Sequence, residues 1–134
     1  MSSSPAVRKA RPLSPHLQVY RPQLTSVMSI FHRMTGVGLA LGLVVLVLWL
    51  VALAGGASAY QHFLDYAHST LGQIVLFGWV WAFFYHLCTG IRHVIWDVGH
   101  MLEIKQVYKT GALAVVLSTL LTFGFWFSIL WSHP

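Results

Sequence analysis

The chain has 134 residues, 57% of them hydrophobic and only 8% charged, with a formal net charge of +5. A soluble domain of this length has no use for so much apolar surface, so the composition excludes an ordinary water-soluble enzyme and points to a membrane protein of one domain. The single cysteine, Cys88, excludes an intrachain disulfide and a paired-cysteine zinc site. The positive charge gathers at the edges of apolar runs, which is the pattern of topology-setting residues and gives no sign of nucleic-acid binding.

Residues 1–23 are polar and interrupted by Pro5, Pro12, Pro15 and Pro22, and hold no apolar run of the kind a signal peptide needs. They read as a cytoplasmic N-terminal tail. Residues 24–134 read as a three-helix transmembrane anchor domain. Thr25 or Ser26 is placed to cap the first helix, which the pattern carries to about Leu53. Its membrane span, about 34–54, is close to the ~20 residues that cross a hydrocarbon core. Gly55-Gly56 ends it, and residues 57–69, with His62, Asp65 and His68, read as a short polar loop.

The second helix is expected from Thr70 to about Val94, with its span at 71–93. Residues 95–110 carry Asp97, His100, Glu103, Lys105 and Lys109 and read as a loop or frayed helical extension. A third helix, about 111–131, contains no charge, and its Trp126 and Trp131 suit a membrane interface. The fold class is therefore all-α and polytopic. All eight Lys and Arg residues fall on one side of these spans, which puts the N-terminus inside and the C-terminus outside.

Chemistry concentrates in His86-Leu-Cys-Thr-Gly-Ile-Arg-His93. At about 100° per residue, His86 and His93 share a helical face, with Gly90 between them able to admit a large flat ligand. His86 lies six residues deeper than Arg92, about 9 Å at helical rise. An imidazole inside a membrane marks a functional site, and haem iron is a fitting partner. The stripe Trp79, Ala82, His86, Gly90 and His93 leaves room beside it. The plainer alternative stays open: His86 hydrogen-bonds a neighbouring helix, and the stripe is ordinary packing.

On the first helix, Ser29 and Arg33 are four residues apart and share a face, with His32 beside them. A hydroxyl donor and a permanent cation at the membrane boundary suit the carbonyl of a quinone. Alternatively, Arg33 snorkels to lipid headgroups. Gly38-x-x-x-Gly42 is a close-packing pattern, and Asp97 reads as a solvated loop carboxylate, with a pairing to Arg92 or to a partner subunit as the alternative. His62, His68 and His133 are expected on the outer side, with His16 and His100 at the inner interface. A histidine-based proton or metal transporter fits poorly, because the membrane interior holds one deep histidine and no carboxylate.

Taken together, Arg11-Pro-Leu-Ser-Pro-His-Leu-Gln-Val-Tyr20, Ser29-Ile-Phe-His-Arg-Met-Thr-Gly36 and His86 through Asp97 resemble the cytochrome b556 subunits of succinate dehydrogenase, a complex II anchor family. The resemblance covers nearly the whole chain. It implies a membrane anchor that, with a second small anchor subunit, holds an iron–sulfur subunit and a flavoprotein subunit at the lipid bilayer. Electrons would pass from succinate through iron–sulfur centres to ubiquinone. By position, His86 matches the axial ligand of haem b, whose iron takes its second histidine from the other anchor. His32 and His93 match the haem propionate region, and Ser29 and Arg33 match quinone-binding residues. The resemblance implies no catalysis by this subunit alone. The tail favours a bacterial inner membrane over a mitochondrial one. A haem-free anchor that only docks soluble subunits is the competing expectation.

Overall fold

The computed structural model describes residues 19–132, which form four helices in chain order. These are α1 (Leu24–Ala54), α2 (Ala57–His68), α3 (Thr70–Asp97) and α4 (Ile104–Ser132). Most of the N-terminal tail, His16 and His133 lie outside the described residues. α1, α3 and α4 are each long and apolar enough to cross a membrane. Their 31, 28 and 29 residues reach about 42–47 Å at 1.5 Å per residue, so their end turns extend beyond a ~30 Å hydrocarbon core.

The packing is inverted relative to a water-soluble bundle. Thr89, Ser118 and Thr122 are the largest fully buried side chains, while Leu41, Val51 and Leu120 are more than half exposed. Lipid tails solvate leucine as well as a protein core does, so helices in a bilayer associate through small residues and satisfied hydroxyls. α4 follows this rule with a buried stripe of Gly111, Ala114, Ser118 and Thr122. The Ser118 and Thr122 hydroxyls donate back into their own helix, to the Val115 and Ser118 carbonyls. Nearer the other end, Phe77 of α3 meets Phe123 and Trp126 of α4 at 5.5 and 5.4 Å between ring centroids.

α1 and α3 come together at two glycines. A Cβ on Gly42 would collide with the Trp79 indole, and one on Gly36 would sit 3.0 Å from His86 Cε1. Gly38, by contrast, faces open space. Only the second glycine of the Gly38-x-x-x-Gly42 pattern therefore packs. The indole N–H of Trp79 is buried there with no acceptor among the described residues, so shape rather than a hydrogen bond seats the ring.

Three sequence expectations are corrected. Residues 57–69 form the helix α2, because Tyr60, Phe63, Leu64 and Ala67 recur at helical spacing and turn inward while Gln61, His62, Asp65 and Tyr66 stay exposed. Gly56 allows the turn into it, at φ 89°. α4 begins at Ile104 rather than near Gly111, leaving only residues 98–103 between it and α3. α1 begins at Leu24 behind Gln23 without a side-chain cap, and the Ser26 hydroxyl instead accepts from Tyr20 at 3.1 Å.

The Gly42 contact generates a direct test. Gly42→Ala should destabilise the protein by about 1–3 kcal/mol, the scale of an overpacked core. Gly78→Ala, where an added Cβ meets nothing within 4 Å, should be neutral or stabilising. Thermal unfolding of the two purified variants against the parent separates these outcomes.

Candidate functional site

The site forms where α1 and α3 run antiparallel. On α3, His86, Thr89 and His93 occupy one face; on α1, His32 and Thr35 turn toward it. His32 and His86 stack face to face, with ring centroids 3.9 Å apart and planes 10° from parallel. His93 leans on His32 at 4.9 Å. All three rings are half-buried.

Their hydrogen bonds fix which ring nitrogen carries the proton. His86 Nδ1 lies 3.1 Å from the His32 carbonyl, which can only accept, so Nδ1 donates. Thr35 Oγ1 lies 3.3 Å from the same nitrogen and spends its own proton on the carbonyls of Phe31 and His32. Thr89 mirrors this arrangement. Its hydroxyl donates to the Tyr85 carbonyl at 2.6 Å and accepts from His32 Nδ1 at 2.7 Å. His93 Nδ1 donates to the Thr89 carbonyl at 2.7 Å. Each imidazole is thus held through Nδ1–H, and each keeps an Nε2 lone pair free of these bonds.

Such anchoring is how proteins orient histidine for metal ligation, with the second nitrogen tied to a carbonyl or hydroxyl. Among the described residues no three His, Cys, Asp or Glu side chains converge on a common metal position. A Cβ placed on Gly90, one turn from His86 on the same helix, would meet nothing within 4 Å. The face of α3 at Gly90 is therefore open among the described residues.

Arg92 stands apart from this cluster. Its guanidinium donates to Thr110 Oγ1 at 3.0 Å and to the Val107 carbonyl at 2.8 Å, and lies 3.7 Å over the Trp96 ring. It is 6% exposed and clamps α3 to the first turns of α4. Asp97 is exposed at the end of α3, as a solvated carboxylate would be, and Arg92 turns toward α4. Ser29 and Arg33 do come together: Arg33 Nη2 donates to Ser29 Oγ at 3.1 Å. With Thr25, Ser26 and Ile30 they line an open groove of about 420 Å³ on α1. The Ser29 hydroxyl proton stays available to an outside acceptor, next to a fixed cation.

All five residues singled out from sequence, His32, His86, His93, Ser29 and Arg33, lie on the facing stretches of α1 and α3 or directly beside them. Sequence reasoning missed Thr35 and Thr89. Their signal was a hydroxyl three residues after a histidine on each helix, His32-x-x-Thr35 and His86-x-x-Thr89, each threonine serving the other helix's ring.

The family model of the succinate dehydrogenase/fumarate reductase transmembrane subunit matches residues 7–125. The chain is 44% identical over 117 residues to the succinate dehydrogenase cytochrome b556 subunit of Rickettsia felis, covering 87% of this chain and 90% of that protein. It is 42% identical over 122 residues to the cytochrome b556 subunit of Paracoccus denitrificans, covering 87% and 94%. The cytochrome b560 subunit of Reclinomonas americana is 40% identical over 121 residues, with 87% and 84% covered.

The Arg92 clamp makes its own prediction. Arg92→Lys keeps the charge but loses the planar fork and the stack on Trp96, so it should cost about 1.5–3 kcal/mol, the range for hydrogen bonds to charged groups. A lowered thermal midpoint of the purified variant is the expected reading.

Proposed function

This chain belongs to the succinate dehydrogenase/fumarate reductase transmembrane-subunit family, as a cytochrome b membrane subunit of succinate dehydrogenase, and from that premise we propose that it binds haem b and helps deliver electrons from succinate to ubiquinone. A second small anchor subunit, an iron–sulfur subunit and a flavoprotein subunit complete the assembly, in the inner membrane of a bacterium. The basic end of the bundle, with Arg21, Arg33, Lys105 and Lys109, faces the cytoplasm under the positive-inside rule. This subunit is not catalytic alone.

One observation carries the haem reading: His86 is tied through Nδ1–H to α1, with Nε2 free on the helix that leaves Gly90 open. His86 would supply one nitrogen to the haem iron, and a histidine of the second anchor would supply another. When bound, haem b supplies a one-electron carrier inside the membrane. His32 and His93 would lie at the propionate end; with their Nδ1–H groups committed to Thr89, each could meet a propionate only through Nε2, and only where the ring or the propionate carries a further proton. Ser29 and Arg33 would bind the quinone head. As its oxygens gain negative charge on reduction, the Ser29 hydroxyl donates to one and the Arg33 cation stabilises it, an interaction stronger after electron arrival than before.

Two sets of variants in the assembled complex test this reading. His86→Ala should abolish or alter the low-spin haem absorption of the reduced complex, and an unchanged spectrum would remove His86 from ligation. Ser29→Ala and Arg33→Leu should each lower succinate–ubiquinone reductase activity about 10- to 100-fold. That lies below the ~2.7–4 kcal/mol of a dry oxyanion site because water reaches this open groove. Succinate oxidation by an artificial soluble acceptor should stay near the parent rate at equal flavin content. A parallel fall in both activities would assign these residues to assembly instead.

A further inference from the structure

The haem reading assigns the histidines and leaves Thr89 unexplained, although it is 1% exposed and touches the cluster twice. We propose that Thr89 is the positioning residue of this cluster: its side-chain oxygen fixes His32 and its carbonyl fixes His93, each ring with Nδ1 protonated and Nε2 free. The inference rests on the haem reading for its purpose, though not for its geometry.

The hydroxyl proton is committed to helix carbonyls, to Tyr85 at 2.6 Å and to His86 at 3.2 Å. Its oxygen can therefore only accept from His32 Nδ1, which lies 2.7 Å away. Burial leaves no room for a water to take over that acceptor. The two contacts differ in kind. The one to His32 depends on the side chain, whereas the one to His93 uses a backbone carbonyl that any residue supplies. His32 in turn covers the face of His86 at 3.9 Å, so an unfastened His32 exposes the proposed iron ligand. Water admitted beside that ligand raises the local dielectric and favours the more highly charged ferric state, which lowers the midpoint potential.

The test uses the assembled complex with ¹⁵N-labelled histidine, ring signals assigned by single histidine replacements, in the parent, Thr89→Val and Thr89→Ser. Solid-state NMR reads the protonated nitrogen of each ring, and redox titration reads the haem. In the parent, His32 and His93 should both show Nδ1 protonated. Thr89→Val keeps the shape and removes the acceptor. His32 should then shift to a mixture of Nδ1- and Nε2-protonated forms while His93 stays as in the parent, and the midpoint potential should fall. Thr89→Ser should restore both readings. An unchanged His32 ring, a change shared equally by His32 and His93, or an unchanged potential in the loaded Thr89→Val complex would overturn the positioning role. A parent complex that contains no haem, yet shows the Thr89→Val change confined to His32, would overturn the haem reading and uphold the positioning role.

Discussion

The close approach of α1 and α3 is the constraint on which the rest of the arrangement depends. Gly42 admits the Trp79 indole and Gly36 admits the His86 ring, so two helices that present mostly lipid-facing leucine and valine can bring their polar residues together. At that separation His86 reaches an α1 carbonyl and His32 reaches an α3 hydroxyl. A wider gap would leave each imidazole N–H in hydrocarbon without an acceptor, at a cost of several kcal/mol. The glycines thus shape the site by letting the two backbones approach.

The bilayer as solvent explains the choice of the other polar residues. Threonine and serine suit the interior because each hydroxyl can donate to a carbonyl one turn back in its own helix and still accept from a neighbour, as Thr35 and Thr89 do. Arg92 remains charged inside the bundle because Thr110, Val107 and Trp96 replace its hydration. Arg33 is exposed and, among the described residues, bonded only through one nitrogen to Ser29, which leaves its charge directed outward. The two arginines have the same side chain and opposite uses, and their surroundings decide which. On the proposed function, the buried one fastens α3 to α4 and the exposed one meets the quinone.

The long apolar helices were readable from apolar run length, and the shared face of Ser29 and Arg33 from their four-residue spacing. The exchange of threonine and histidine between helices was not, because a pairing between His32 and Thr89 depends on the register of two antiparallel helices that no local pattern encodes. α2 was misread because its charged and polar residues suggested a loop, while the 3.6-residue recurrence of Tyr60, Phe63, Leu64 and Ala67 was the stronger signal. The partners of Arg92 were hidden for a related reason: they come from the early start of α4, which brings the Thr110 hydroxyl and the Val107 carbonyl to its guanidinium.

The central claim is that this anchor carries haem rather than merely docking soluble subunits. A pyridine haemochrome assay on the complex copurified with a tagged copy of this chain tests it most directly. B-type haem should appear in an amount matching the succinate-oxidising flavoprotein. A fully assembled and active complex that contains no haem would contradict it.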